Sequence, residues 1–249
     1  MAPLTLGSEG NIYGTTLHGG SGGWGTLFEI DGAGQEKVIF AFDKTNGSYP
    51  DSPITFGPDG DIYTSSMGGP GNRNFGYGWL FKLTPEANGT WSQTIIDEFL
   101  HHHADGEGPG GVIFDPQGNM YGVTGSGGKY GGGTVFELTS NGDGTWTETI
   151  LHSFGNLHPN VGVNGLIRDK DGNLYGTTYA DGLYDAGCAF ELSPKEGGRW
   201  EYTVLHNFGH GEDGSNPTGD LVMDAAGNLY GTTLSGGTYR EGTAFEIIP

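Results

Sequence analysis

The sequence comprises 249 residues, and its 30 acidic and 10 basic residues give a formal net charge of −20. This charge argues against nucleic acid or an anionic membrane surface as a partner. Glycine contributes 51 residues without a three-residue period, which excludes collagen. Aromatic residues make up 12% of the chain and recur at fixed places, which argues against disorder. No apolar run is long enough to cross a membrane.

Five copies of one pattern follow one another along the chain. Each has a Tyr within a short strand, a glycine-rich gap, and a second strand that contains a Phe. The tyrosines are Tyr13, Tyr63, Tyr121, Tyr175 and Tyr230, and the phenylalanines are Phe28, Phe81, Phe136, Phe190 and Phe245. Successive tyrosines are separated by 50, 58, 54 and 55 residues. A period in this range indicates a stacked or circular repeat architecture.

The third copy shows how one repeat divides into four strands, A to D. Residues 111–116 form a short apolar strand, and a turn rich in Asp, Pro and Gly leads into 119–124. Residues 134–138 are β-branched and aromatic, and 145–154 alternate between polar and apolar. One such sheet alone is only marginally stable, so the sheets are expected to pack face to face around an axis. The five copies therefore predict an all-β, five-bladed β-propeller with four-stranded antiparallel blades.

The copies predict a single β-propeller domain over residues 1–249. Their approximate bounds are 3–42, 53–99, 110–154, 165–208 and 219–249. The fifth copy stops at the end of strand C, so we expect either a three-stranded last blade or a chain trimmed from a longer one. The single cysteine, Cys188, lies in a predicted strand, which excludes a disulfide scaffold and indicates a small buried residue.

The pattern resembles a known family. Copy five reads DAAGNLYGTTLSGGTYREGTAFEI, with DGSNPTG before it, and is similar to the GloVer (Gloeobacter/Verrucomicrobia) repeat of bacterial extracellular proteins. The resemblance covers essentially the whole chain. It implies a propeller and an extracellular, secreted protein whose signal peptide is absent from this sequence, and it implies no defined reaction. Copy two departs most, because its Tyr and Phe are 18 residues apart instead of 15.

Ligand-binding residues are expected on one face, where the B–C loops and the D-to-A linkers vary most. Aromatic rings on such loops suit the flat faces of sugars, and neighbouring polar groups fix the hydroxyls. In the alternative, each ring fills the gap to the neighbouring blade, and Arg73 staples its loop by a salt bridge. The predicted ligand-binding residues are Trp24, Arg73, Phe75, Tyr77, Tyr130, Tyr184, Tyr239, His158 and His210.

All eight histidines are expected on this face, so a catalytic site on the same face is a further hypothesis. The candidate catalytic residues are His101, His103, Asp105 and Asp213. A glycoside hydrolase needs two carboxylates that flank the bond, but the predicted inner strands begin at Pro53, Gly111, Gly165 and Asp220, and only the last is acidic. For His152 and His206, which occupy equivalent positions, a structural hydrogen bond at the blade rim is favoured. No spacing indicates a metal or a cofactor.

The sequence therefore predicts an extracellular β-propeller that binds a carbohydrate or a similar neutral ligand on the face of the B–C loops. One alternative is a glycan-cleaving hydrolase or lyase that uses His and Asp of the same face. Another is a structural repeat module without a ligand. The expected partner is a glycan or a small molecule, with no nucleic acid and no membrane span, and the protein is expected to be a monomer or a weak homo-oligomer.

Overall fold

A computed structural model describes residues 3–43, 45–69, 78–99, 105–155 and 161–249. Within these ranges the chain forms nineteen β-strands and no helix. The strands assemble into four antiparallel four-stranded sheets and one three-stranded sheet, each in sequence order. The prediction of a five-bladed β-propeller with a three-stranded last blade is confirmed.

The strands of each blade follow strands A to D of the repeat. Blade 1 comprises β1 (Thr5–Leu6), β2 (Ile12–Thr16), β3 (Thr26–Ile30) and β4 (Glu36–Ala41). Blade 2 comprises β5 (Thr55–Phe56), β6 (Ile62–Ser66), β7 (Trp79–Pro85) and β8 (Trp91–Glu98). Blade 3 comprises β9 (Glu107–Phe114), β10 (Met120–Ser126), β11 (Thr134–Ser140) and β12 (Trp146–Ser153).

The last two blades differ in the length of their first strand. Blade 4 comprises β13 (Ile167–Arg168), β14 (Leu174–Thr178), β15 (Cys188–Lys195) and β16 (Arg199–Asn207). Blade 5 comprises β17 (Gly214–Met223), β18 (Leu229–Gly236) and β19 (Ala244–Ile247).

Two first strands begin earlier than their sequences predicted. β9 starts at Glu107 instead of Gly111, and β17 starts at Gly214 instead of Asp220. In β17 the added residues pair with β18, Gly214 opposite Gly236, before the register shifts. The prediction was wrong because glycine and proline in the linker indicate a turn, although their backbones extend a ladder here.

The repeated phenylalanine makes a contact between strands B and C of its own blade. Gly176 of β14 pairs with Phe190 of β15, and the ring of Phe190 is fully buried. A Cβ atom at Gly176 would lie 2.7 Å from Cζ of Phe190. Glycine therefore lets the phenylalanine ring fold across the neighbouring strand. In blade 2 the equivalent position holds Thr64, which pairs with Phe81.

The repeated tyrosines of blades 1 and 2 reach the first strand of the following blade. Tyr13 packs edge-on against Phe56 at a ring-centroid distance of 5.1 Å, and Tyr63 packs in the same way against Phe114 at 4.9 Å. Burial of such rings contributes roughly 1.5–3 kcal/mol each. The phenylalanine thus holds a blade together, and the tyrosine joins it to the next one.

In blades 3, 4 and 5 the A–B turn is held by a carboxylate of its own. In blade 4, Asp169 Oδ1 accepts the backbone N–H groups of Asp171 and Asn173, and its Oδ2 accepts the side-chain amide of Asn173. Asp224 makes the same three contacts in blade 5. These carboxylates therefore serve turn formation.

The described chain forms two compact units. The first holds blades 1 and 2 with β9, the second holds blades 4 and 5, and the other three strands of blade 3 are divided between them. No helix in the described ranges is long and apolar enough to cross a membrane.

Candidate functional site

A cleft of about 470 Å³ lies at the B–C loop end of blade 4. Three segments form it: the loop between β14 and β15, the end of β16, and the linker from β16 to β17. Its lining residues are Leu183, Tyr184, Leu205, His206, Asn207, His210 and Asp213. The volume lies within the range of small-molecule sites in proteins.

The loop that carries Tyr184 is fixed by hydrogen bonds at its base. The backbone N–H of Gly187 donates to the carbonyl of Asp181 at 3.0 Å, and the N–H of Leu183 donates to Oδ1 of Asn207 at 2.8 Å. Asp181 and Asp185 both have positive φ, at 115° and 54°. Non-glycine residues in this region store strain, which is concentrated at binding sites in proteins.

The linker brings its own side chains to the cleft through a tight turn. The N–H of Asp213 donates to the carbonyl of His210 at 3.1 Å, and the N–H of Gly209 donates to the carbonyl of Gly214 at 2.9 Å. A Cβ atom at Gly209 would lie 2.5 Å from Cβ of Ala186. Because Gly209 has no side chain, the linker can approach the Tyr184 loop closely.

An aromatic pair forms one wall of the cleft. The rings of Tyr184 and His210 are tilted by 34°, with centroids 5.3 Å apart. The Tyr184 side chain is 44% exposed, and His210 is also exposed. An exposed pair of rings beside a cavity provides a surface on which the apolar face of a ligand can stack.

A histidine–aspartate pair lies in the same cleft. Nε2 of His206 lies 2.8 Å from Oδ2 of Asp213, and Oδ1 of Asp213 accepts the N–H of Gly214 at 2.8 Å. The contact fixes the orientation of the imidazole ring. It also places a carboxylate beside a side chain that can take up and release a proton. The cleft can therefore both accept and donate hydrogen bonds.

Equivalent histidines serve different roles in successive blades. His152 of blade 3 stacks on Tyr202 at a ring-centroid distance of 4.2 Å and an interplanar angle of 11°. Burial lowers the pKa of His152, although the charge of Asp181 acts in the opposite direction. His206 instead contacts Asp213. This contact is of the kind that the sequence favoured for both histidines, a hydrogen bond at the blade rim.

Of the predicted site residues, the structure brings three together in this cleft: Tyr184, His210 and Asp213. Tyr130 is elsewhere, 41% exposed, with Nζ of Lys129 4.9 Å from its ring centroid. Tyr239 projects into solvent and is 86% exposed.

Two further predicted site residues, Trp24 and Asp105, are not among the residues that line the cleft. Trp24 packs against Tyr49 at a ring-centroid distance of 4.9 Å and against the core of blades 1 and 2, as in the gap-filling alternative. Asp105 is half-buried, and its carbonyl accepts the hydroxyl of Thr134. The remaining predicted site residues lie outside the described residues: Arg73, Phe75, Tyr77, His101, His103 and His158.

Four residues of the cleft were not predicted as site residues: Leu183, Leu205, His206 and Asn207. His206 was assigned a structural role because His152 stands at the equivalent position. A local signal was available, since Asp213 stands only seven residues after His206, in the linker that follows β16.

Cys188 is buried and free, in agreement with its predicted role as a small core residue. Its thiol contacts the hydroxyl of Thr178 at 3.3 Å and that of Tyr202 at 3.5 Å. Burial raises the pKa of the thiol, which makes Cys188 a poor nucleophile. Across the described ranges, no group of three or more His, Cys, Asp or Glu residues is arranged to hold a metal ion.

The model of one protein family, the Gloeobacter/Verrucomicrobia repeat, matches residues 2–245. No curated protein matches the chain. Among solved structures, a gluconolactonase from Xanthomonas campestris is similar, with 14% identity and a TM-score of 0.60 over 99% of this chain and 71% of the other. An α-L-arabinanase from Penicillium chrysogenum, complexed with arabinobiose, has 12% identity and a TM-score of 0.61 over 99% of this chain and 80% of the other. At these identities, the likeness concerns the fold.

Proposed function

The chain belongs to the Gloeobacter/Verrucomicrobia repeat family, and we propose that the cleft of blade 4 binds a carbohydrate or a similar neutral ligand. One observation carries the proposal. The exposed ring pair of Tyr184 and His210 borders a cavity of about 470 Å³ that also contains the hydrogen-bonded pair of His206 and Asp213.

The chemistry of the cleft matches a sugar in two respects. The ring pair offers an apolar surface to the C–H face of a pyranose or furanose ring. Asp213 can accept further hydrogen bonds, because a carboxylate has about four lone-pair positions and two of them face His206 and the N–H of Gly214. The same fold holds a saccharide in the arabinanase structure, which supports the proposal as a precedent.

Binding measurements with matched variants test this proposal. Calorimetric titration with arabinobiose, cellobiose and xylobiose should give saturable binding to the unmodified protein. Tyr184→Ala should weaken it at least about tenfold, since loss of a stacked ring costs on the order of 1.4 kcal/mol or more. Tyr239→Ala is the matched control, because Tyr239 also lies on a B–C loop but projects into solvent.

Two results would contradict the proposal. One is unchanged affinity in Tyr184→Ala when its unfolding transition matches that of the unmodified protein. The other is equal loss of binding in Tyr184→Ala and Tyr239→Ala, which would point to a surface effect unrelated to the cleft.

The contact between His206 and Asp213 favours one further candidate, a glycan-cleaving enzyme. Asp213 would orient His206, and the imidazole would remove a proton from the attacking water. Asp213 is, however, the single carboxylate among the seven lining residues, whereas glycoside hydrolysis generally uses two. Release of reducing ends from the bound saccharide, lost in Asp213→Asn, would establish this candidate, and binding without release would exclude it.

An extracellular location is part of the proposal, as the resemblance to tandem-repeat extracellular proteins implies. Fractionation of cells that express the full gene would test it, because the proposal requires the protein in the medium or on the cell surface.

A further inference from the structure

A second cavity, of about 360 Å³, lies between blades 2 and 3 at the end of their strands where the A–B and C–D turns meet. We call it the turn-side crevice. It is bordered by three aromatic rings and by polar side chains of both blades. Its lining includes Asp59, Tyr63, Lys82, Phe114, Gln117 and Trp146. None of them lines the cleft of blade 4.

The charges in the crevice are largely neutralised among its own residues. Nζ of Lys82 lies 2.8 Å from Oδ2 of Asp61 and 3.5 Å from Oδ2 of Asp59. The hydrogen bond to Asp61 raises the pKa of Lys82, against the effect of burial. One cation therefore faces two carboxylates, which disfavours a ligand with a net negative charge. A cationic ligand would meet the ammonium group of Lys82 itself.

The remaining surface combines aromatic faces with hydrogen-bonding groups. Tyr63 and Phe114 form the floor, with centroids 4.9 Å apart, and the half-buried Trp146 borders the same space. The indole N–H is a donor, the exposed amide of Gln117 both donates and accepts, and Asp59 accepts. Aromatic faces beside mixed donors and acceptors fit a ring that has an apolar face and hydroxyls at its edge.

We propose that the turn-side crevice is a binding site for a neutral sugar ring, which stacks on Trp146 and forms hydrogen bonds with Asp59, Gln117 and Lys82. The site is separate from the cleft of blade 4, and its occupation does not depend on the function proposed there.

The next blade provides an internal comparison. Trp200 is the second residue of the fourth strand of blade 4, and Trp146 is the first residue of the fourth strand of blade 3. The indole of Trp200 packs edge-on against Tyr121 at a centroid distance of 6.0 Å. Trp200 therefore serves as the matched control for Trp146, since both are tryptophans at equivalent positions and the proposal involves one of them.

Proton–nitrogen correlation spectra of the indole N–H groups test the proposal. The probes are methyl β-D-glucopyranoside and cellobiose, with glucuronate as the anionic comparison. The Trp146 resonance, assigned by its absence in Trp146→Phe, should shift saturably with the neutral probes and much less with glucuronate. The shift should persist in Tyr184→Ala, which separates this site from the cleft of blade 4.

Variants decide whether the crevice itself binds. Gln117→Ala, at an exposed turn position, should weaken the saturable Trp146 shift several-fold, and Trp200→Phe should leave it unchanged. Trp146→Phe should weaken cellobiose binding measured in a Tyr184→Ala background. The proposal is overturned if the Trp146 resonance does not move at about 50 mM of either neutral sugar, a concentration above ordinary weak saccharide affinities. It is equally overturned if Gln117→Ala leaves the shift intact, or if glucuronate shifts the resonance as strongly as methyl β-D-glucopyranoside does.

Discussion

Blades 2 and 4 share one architecture but differ at two positions that face each other. In blade 4, Asn173 lies in the A–B turn and Glu191 in strand C, where the Tyr175 hydroxyl approaches it at 3.4 Å. In blade 2 the equivalent residues are Asp61 and Lys82, which form an ion pair at 2.8 Å. Blade 2 thus has an acidic and a basic residue where blade 4 has a neutral and an acidic one. The two residues are matched within the blade, because a glutamate in place of Lys82 would leave Asp61 without its cation and beside a second carboxylate.

The largest loss of stability is expected when one member of the ion pair between Asp61 and Lys82 is replaced. Lys82→Glu removes the cation beside Asp61, whose side chain is 8% exposed, and adds a carboxylate next to Asp59. We expect the free energy of unfolding to fall by about 3 kcal/mol, because a nearly buried charge loses its partner. Urea unfolding followed by tryptophan fluorescence measures the change.

The double variant D61N/K82E is the control, since it gives blade 2 the Asn and Glu of blade 4. It should recover more than half of the stability lost in Lys82→Glu. A double variant as unstable as the single one would mean that the comparison of the two blades rests on something other than this pair.

A smaller effect is expected from the glycine that lies beneath the phenylalanine ring. Gly176→Ala in blade 4 places a Cβ atom 2.7 Å from Cζ of the fully buried Phe190, and should lower the free energy of unfolding by about 2 kcal/mol. In blade 2, Thr64→Ala should lower it by about 1 kcal/mol, because it removes one methyl group and a hydroxyl whose hydrogen bond to the carbonyl of Ser52 is long, at 3.4 Å. Thermal or urea unfolding of both variants tests whether Gly176→Ala is the more destabilising. A larger loss of stability in Thr64→Ala would contradict the proposed role of Gly176.

The smallest effect concerns acid sensitivity. Asp59 and Asp169 both have a lowered pKa: burial acts to raise it, but hydrogen bonds from Tyr63 and Asp61 to Asp59, and from Asn173 and Asp171 to Asp169, outweigh burial. A carboxyl group with a lowered pKa in the folded state stabilises the fold above the unfolded value of 3.8. This contribution is lost as the pH falls through the folded pKa.

Unfolding at about pH 5 and about pH 3 measures this loss. Asp59 also faces Lys82, whereas the hydrogen bonds around Asp169 involve neutral groups of its own turn and Tyr175. Asp59→Asn should therefore reduce the difference in the free energy of unfolding between these two pH values more than Asp169→Asn does. Equal removal in the two variants would show that the lysine of blade 2 adds nothing to the turn hydrogen bonds.

The blade architecture was predictable because it depends on local spacing. A fixed distance between tyrosine and phenylalanine, such as that from Tyr175 to Phe190, sets the length of two strands and the loop between them. The early starts of β9 and β17 were not predictable, because pairing of the linker with the second strand is a long-range contact. Glycine and proline in such a segment indicate a turn when they are considered locally.

The candidate site was predictable only in part. Tyr184 and Tyr239 occupy equivalent positions in their copies, yet one borders a cavity and the other projects into solvent. The difference arises from the neighbouring linker, where His210 lies beside Tyr184. A single repeat does not contain this information, because the environment of each loop is supplied by the segment that follows its blade.

The ion pair of blade 2 also constrains how the gene can change. Asp61 and Lys82 are 21 residues apart in the chain, so a genetic crossover between two repeats can fall between their codons. A hybrid repeat with the first half of blade 2 and the second half of blade 4 would set Asp61 against a glutamate. The reciprocal hybrid would set an asparagine against the lysine. The two halves of this repeat are therefore expected to be inherited together, whereas the halves of the other four repeats, which share the Glu of strand C, can be recombined.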